Sequence, residues 1–207
     1  MILKDLPEKM TIVGSGAIGV EFAYFYNAFG TEVTIVEMLP NIMPIEDKDI
    51  SDVVAREFKK RGIKLLTGTK TESVEVKGDK VYTNVSGKSN EVLESDVVLI
   101  AIGVTGNVEN IGLEEIGIAI DKGSIKVDKD YKTNVDGFYA IGDVIGPPWL
   151  AHVASSEGIN CIEKIKGMHV PEIDYNTIPG CTYCQPQVAS GGLTEQKALA
   201  EGYEINA

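Results

Sequence analysis

The chain has 207 residues, 31 acidic against 19 basic side chains, a formal charge of −12 and 43% hydrophobic content. That length holds one large domain or two small ones. Its ordinary apolar content, with no run near the roughly 18 residues a membrane helix needs, points to a soluble folded chain. So negative a chain repels phosphate backbones, which argues against nucleic acid or an anionic membrane as the main partner. Any bound phosphate must therefore be held locally. Cys161, Cys181 and Cys184 are too few for a disulfide scaffold, and the opening MILKDLPEKM lacks the layout of a signal peptide. A reducing interior compartment is expected.

Residues 1–9 read as a linker, because Asp5, Pro7, Glu8 and Lys9 interrupt the apolar pattern. Met10 to Val13 is a short apolar run ending in glycine, as a buried parallel strand would be. Ile18, Phe22, Phe25 and Phe29 then recur at helical spacing up to Gly30, and predict a helix buried on that face. Thr31 to Glu37 is a β-branched strand. From Asp47 to Arg61, the residues Ile50, Val53, Val54 and Phe58 form a second stripe, with acids in the first turn, bases in the last and Gly62 as the stop. Ile63 to Thr67 is strand again. This alternation predicts a parallel sheet with crossover helices.

Between Thr69 and Glu94 the period changes to alternation broken at Gly78-Asp79 and Ser86-Gly87, the pattern of an antiparallel meander. Asp96 to Ile102 is apolar enough for burial on both faces and is expected to rejoin the parallel sheet. Asp121 to Thr133 is polar and irregular, a candidate boundary. A strand is predicted at Gly137 to Ile141, a helix from about His152 to Lys166, a strand at Thr182 to Ala189 and a helix at Thr194 to Gly202. The last 35 residues or so are too few to fold alone, since isolated segments below about 40 residues bury too little surface.

Gly14-Ser15-Gly16-Ala17-Ile18-Gly19 is a GxGxxG sequence at a strand-to-helix junction, and an acid, Glu37, ends the next strand 18 residues after the third glycine. That context gives the spacing meaning. Gly14 permits the tight turn, Gly16 lets backbone approach a diphosphate, and Gly19 lets the helix sit against the strand. The helix N-terminus supplies free N–H groups and partial positive charge. A carboxylate at Glu37 accepts hydrogen bonds from a ribose 2′-hydroxyl and repels a 2′-phosphate. At an effective dielectric near 20, two unit charges about 4 Å apart repel by about 4 kcal/mol. With no Arg or Lys between Met38 and Asp47, NAD is favoured over NADP. Glu21, about one turn into the helix, either gains from the helix dipole or faces the nicotinamide end of the cofactor.

With VGSGAIGVEFA, Glu37, AIG at Ala101 to Gly103 and YAIGDV at Tyr139 to Val144, the chain resembles the pyridine nucleotide–disulfide oxidoreductases. LPNIMPIEDKDIS, NVENIGLEEIGI, WLAHVASSEG and TYCQPQVAS are similar to segments of the dihydrolipoamide-oxidising branch of that family. The resemblance covers essentially the whole chain. It implies a Rossmann-like, three-layer α/β domain with a parallel sheet and a meander at 10–124, a returning segment of an FAD-binding domain at 125–172, and the start of a dimer-forming interface domain at 173–207. It implies a flavoenzyme that passes electrons from dihydrolipoamide, or a lipoyl domain of a 2-oxoacid dehydrogenase complex, through a disulfide and FAD to NAD. It implies a homodimer in the cytoplasm, or in the mitochondrial matrix of a eukaryote.

Carried over by position, Gly14, Ser15, Gly16, Ala17, Ile18, Gly19, Val20 and Glu21 would line the pyrophosphate and nicotinamide. Glu37 would meet the adenosine ribose, and Thr71 and Gly103 the remaining NAD surface. Asp143 would meet the ribityl or phosphate region of FAD, and Trp149, Leu150, Ala151 and His152 would lie along the flavin.

The family's N-terminal FAD fingerprint, its redox CxxxxC and its His–Glu catalytic pair do not occur in this chain. His169 and Asp174 imitate the spacing of that pair but precede the interface segment. The chain alone is therefore expected to bind NAD without oxidising dihydrolipoamide, and no catalytic residue or metal site is assigned. Cys181 and Cys184 are read as two ordinary strand cysteines facing opposite sides, and Cys161 as a core residue. Val104-Thr105-Gly106 stands where many relatives carry two arginines and a proline, which weakens the substrate assignment more than the NAD one. Alternatives are a portion of an NADH oxidase or another disulfide reductase, and a non-enzymatic NAD-sensing module.

Overall fold

The computed structural model describes residues 3–206; the linker's first residues, Met1 and Ile2, and the terminal Ala207 lie outside the described residues. Two compact units result, one formed by residues up to Ile102 together with Pro179 onward, the other by Gly103–Ile178.

In the first unit, β1 (Lys9–Val13), α1 (Ala17–Ala28), β2 (Glu32–Glu37), α2 (Lys48–Lys60) and β3 (Lys64–Thr67) follow in chain order. A three-stranded meander comes next: β4 (Thr69–Lys77), β5 (Lys80–Gly87) and β6 (Glu91–Ser95). Then β7 (Val97–Ile100) returns. The parallel sheet has the order β3-β2-β1-β7, with Ile12 beside Ile35 and Leu99 in register. Because successive strand residues face opposite sides, Met10, Ile12, Val33 and Ile35 join Val20, Ala23, Tyr26, Val54 and Phe58 of the helices in one core. Val36 and Leu66 face the other way, onto Val85 and Leu93 of the meander. Helices, parallel sheet and meander thus form the expected three layers.

Three sequence expectations need correction here. The buried face of α1 is Gly19, Val20, Ala23 and Tyr26, while Ile18, Phe25 and Phe29 are exposed. A Cβ on Gly19 would lie 2.1 Å from the Gly14 carbonyl oxygen, so only the small-residue face lets α1 approach β1. In α2, Val54 and Phe58 are buried but Ile50 and Val53 are exposed; the core accepts a narrower stripe than the apolar residues offer. β7 does rejoin the parallel sheet, yet as an edge strand it pairs only with β1 and is half-buried rather than enclosed.

The C-terminal segment adds β10 (Gly180–Thr182), β11 (Val188–Ser190) and α4 (Glu195–Ala200) to this unit. The single strand expected over Thr182 to Ala189 is instead a two-stranded antiparallel ladder in which Thr182 pairs with Val188. Pro186 lies between the two strands and has no N–H to extend a ladder. Cys184 and Val188 enter the helix-side core. The carboxylate of Asp47, at the start of α2, accepts the Glu195 N–H at 2.8 Å.

The second unit holds the hairpin β8 (Ile120–Asp121) and β9 (Ser124–Ile125), a 3₁₀ turn at Gly142–Ile145, α3 (Ala151–Ile165) and a 3₁₀ turn at Tyr175–Thr177. Val108, Ile118, Ile125 and Ala140 form its core. Residues 103–124 and 173–178 therefore pack with the central segment rather than with the stretches on either side of it. Residues 137–141 do not make the expected strand, since only Tyr139 bridges to Lys132. The following Gly142, at φ +72°, turns the chain out of extended geometry.

Candidate dinucleotide sites

The Gly14–Gly16 loop is tied down on each side of the strand ends. Gly14 N–H donates to Val36 O at 2.9 Å, and Ser15 O accepts from Met43 N–H at 3.0 Å. A Cβ on Gly14, at φ +100°, would stand 2.4 Å from Ala101 O, so glycine is required there. Gly16 is the opposite case: nothing lies within 4 Å of where its Cβ would be. It is the N-cap of α1 and no side chain caps that helix. The first intrahelical bond at this end runs from Val20 N–H to Gly16 O at 3.0 Å, which leaves the N–H groups of Ala17, Ile18 and Gly19 without helical partners. Ala17 and Ile18 are exposed. A cradle of bare backbone with three free donors and the positive end of a dipole is the arrangement that holds a diphosphate.

Glu37 closes β2 beside this loop and is 8% exposed. Its Oε2 accepts from Ser15 N–H at 3.0 Å and Ser15 O–H at 2.6 Å, and its Oε1 accepts from Leu39 N–H at 2.8 Å. A carboxylate has about four acceptor positions, so one on Oε1 is left. Spacing alone located Glu37 but not the fully buried Ser15 hydroxyl that anchors it. That contact forms across the sheet, between residues 22 apart, and leaves no local signal.

Glu21, half-buried, accepts Tyr183 N–H on Oε1 at 2.7 Å. The C-terminal segment thus reaches the side chain expected at the nicotinamide end, a juxtaposition absent from the sequence reading. Cys184, next in the chain, is buried, donates to Pro186 O at 3.0 Å, and has its thiol pushed up by burial and by the Glu21 charge. Cys181 is exposed. Cys181 lies in β10, but Cys184 sits in the bend that follows rather than in a strand as expected, and among the described residues there is no group of three or more His, Cys, Asp or Glu side chains placed to hold a metal. Thr71 sits on β4 with its hydroxyl buried and unpartnered, and no hydrogen bond among the described residues joins it to the glycine loop.

In the second unit, Gly103 is exposed at φ +147°. Asp143 is exposed in the 3₁₀ turn. Trp149, 41% exposed, and Leu150 lead into α3, whose first residues Ala151 and His152 are exposed. Val153 and Ala154 N–H both bond Leu150 O, so the Ala151 and His152 N–H groups are free. These four residues and Asp143 thus supply an aromatic surface, two donors and an acid, a set suited to one side of an isoalloxazine and its ribityl phosphate chain. His169 is exposed, and Asp174 caps the Tyr175–Thr177 turn by accepting Asn176 N–H at 3.0 Å, an ordinary structural duty.

Neither α1, behind its glycine-rich loop, nor α3, behind Trp149, carries a side-chain cap at its N-terminus. Residues 1–158 match the family model described as pyridine nucleotide-disulphide oxidoreductase, and the chain belongs to that family of oxidoreductases. Among curated relatives, the dihydrolipoyl dehydrogenases of Rhizobium etli and Zymomonas mobilis are 47% and 48% identical to it over 203 residues, 97% of this chain. The chain spans 42% and 44% of those two proteins. Among solved structures, LpdA from Mycobacterium tuberculosis superposes with a TM-score of 0.86 at 30% identity, over 96% of this chain and 43% of that one. The HOCl-induced flavoprotein disulfide reductase RclA from Escherichia coli gives 0.88 at 30% identity, over 99% of this chain and 47% of that one.

Proposed function

We propose that this chain is the NAD(H)-binding portion of a dihydrolipoyl dehydrogenase-type flavoenzyme and that it also supplies one side of the FAD site. In this reading residues 10–124 serve NAD, 125–172 return to the flavin domain, and the residues from 173 begin an interface domain through which two copies pair. The observation that carries it is the open, uncapped α1 N-terminus with Glu37 fixed beside it by Ser15 and Leu39. Gly14 to Gly19 hold the diphosphate through backbone N–H groups. Glu37 uses its remaining acceptor position for a ribose hydroxyl, and Glu21 stands toward the nicotinamide. Asp143 and the Trp149–His152 stretch serve the flavin. When bound, the two groups would supply hydride transfer to a nicotinamide and electron relay through a flavin, and in the whole enzyme those electrons would come from dihydrolipoamide, free or on a lipoyl domain of a 2-oxoacid dehydrogenase complex. The dehydrogenase reading is favoured over the oxidase and sensor readings by identities near half with dihydrolipoyl dehydrogenases along almost the whole chain.

The three cysteines stand 20 and 3 positions apart, so no CxxxxC dithiol is available, and this chain alone does not turn over dihydrolipoamide. Titration calorimetry with NAD, NADH and NADP, paired with a lipoamide assay, tests both points. NAD and NADH bind, and NADP binds about a thousandfold more weakly, the equivalent of about 4 kcal/mol of charge repulsion. Glu37→Gln narrows that gap. Absence of heat with both NAD and NADH, or measurable lipoamide turnover, overturns the proposal.

A further inference from the structure

Glu157 lies in the middle of α3 and is only 3% exposed. Both its oxygens are engaged: Oε2 accepts Gly142 N–H at 2.6 Å and Oε1 accepts Tyr175 O–H at 2.7 Å. Burying a carboxylate costs several kcal/mol unless it is well paired. A helix that needed only to pack against the Ile141–Gly142 turn would carry an apolar residue at this position. The turn and helix are in fact pressed together closely enough that small residues are needed on both sides. A Cβ on Gly142 would lie 3.1 Å from Ala154 Cβ, and one on Gly158 would lie 3.1 Å from Ile141 Cδ1. Within that contact, Glu157 supplies a charged acceptor for a single backbone donor, the N–H one residue before Asp143.

We infer that Glu157 is a positioning residue for the flavin: by gripping the Gly142 amide it fixes the start of the 3₁₀ turn and so the direction in which Asp143 is presented. This rests on the flavin reading given above. Tyr175 completes the grip from the far side. Burial, and then its bond to Glu157, push the phenol well above its ordinary value, so it remains a donor. Tyr131 is buried, with Lys164 Nζ of the last turn of α3 5.5 Å from its ring centroid, and that amine pairs with Asp130 at 2.9 Å and donates to Lys129 O at 2.7 Å. Among the described residues the Gly142 amide has no such second support: its one hydrogen bond goes to Glu157.

The test uses the full chain, isotope-labelled for NMR, titrated with FAD. Glu157→Met keeps the volume but has no oxygen acceptor; Glu157→Gln keeps an acceptor for Gly142 and an amide that can donate to the Tyr175 oxygen. In the wild-type chain FAD perturbs the Asp143, Ala151 and His152 amides. With Glu157→Met, the Gly142 amide proton moves upfield and exchanges at least tenfold faster, and FAD binds at least tenfold more weakly. Glu157→Gln restores both to within about threefold. A role in packing alone predicts no such difference, with Met tolerated as well as Gln. Should Glu157→Met fail to fold, Tyr175→Phe is read in its place, with a several-fold loss in both measurements expected. FAD affinity equal in wild type and in the folded variant overturns the inference while leaving the flavin reading intact. An FAD titration that moves no amide of the wild-type chain overturns the flavin reading and the inference with it.

Discussion

The hydroxyl of Ser15 does two things that its place inside a glycine motif does not suggest. It gives the buried Glu37 carboxylate a third donor, and through the 2.6 Å bond it locks the loop to the end of β2. A hydrogen bond to a charged acceptor contributes about 1.5–3 kcal/mol net, and Ser15→Ala keeps the Cβ and the N–H donor. The expected result in urea denaturation is a loss of about 2 kcal/mol with NAD binding retained, because Ser15 and Leu39 N–H still hold the carboxylate. Gly19→Ala behaves differently. Its Cβ would meet Gly14 O at 2.1 Å, so α1 must move away from β1, and calorimetry should show NAD binding abolished along with the fall in stability. The offset of 18 residues made the position of Glu37 legible in the sequence, and the steric reasons for Gly14 and Gly19 could be stated in advance. Ser15, Glu157 and the Glu21–Tyr183 contact could not, since each is defined by a partner distant in the chain.

At the scale of elements, short apolar runs alternating with helical stripes placed the parallel sheet, and a period of two broken by turn glycines placed the meander. Helices are less forthcoming. On α1, the bulky set Ile18, Phe22, Phe25, Phe29 and the compact set Gly19, Val20, Ala23, Tyr26 both recur at helical spacing. Size favours the first, but the distance of closest approach to β1 selects the second. A junction of elements supplies the pH dependence. Asp96, between β6 and β7, accepts Lys9 N–H at 2.8 Å and pairs with Lys80 of β5, so it joins the meander to the start of β1 in the parallel sheet. The Lys80 bond, and then the Lys9 N–H, hold its carboxyl below the usual carboxylate range. A folded-state pKa below the unfolded one means stability that is present above the unfolded value and is lost as pH falls through the folded one. Thermal melts of the wild-type chain should therefore drop as pH is lowered below about 4. Asp96→Asn should melt lower at neutral pH and show a shallower acid slope.

For the molecule as a whole, the least legible feature is the destination of residues 179–206. Their length alone argued that they could not fold by themselves, and the family resemblance implied that they open another domain. Within the first unit they lie against the helix layer, with Cys184 and Val188 in the core and backbone N–H groups of Tyr183 and Glu195 bonded to Glu21 and Asp47. The sequence offered only a strand candidate and a helix candidate here, and neither says which surface receives the segment. Thiol reactivity reads the docking directly. Cys181 is exposed, whereas Cys161 and Cys184 are buried and burial raises both thiols above their ordinary range. Iodoacetamide followed by peptide mass spectrometry should label Cys181 at least about tenfold faster than the other two in native buffer, and all three alike in denaturant. The informative comparison is between the two remaining thiols. Cys161 is held inside α3 and is exposed only when that helix opens, while Cys184 is exposed whenever the tail lifts from α1. On the proposed reading NAD would rest against the loop that begins α1, so protection of Cys184 should increase with NAD while that of Cys161 stays constant. Labelling of Cys184 as fast as Cys181 would mean that the tail does not rest on this surface in solution.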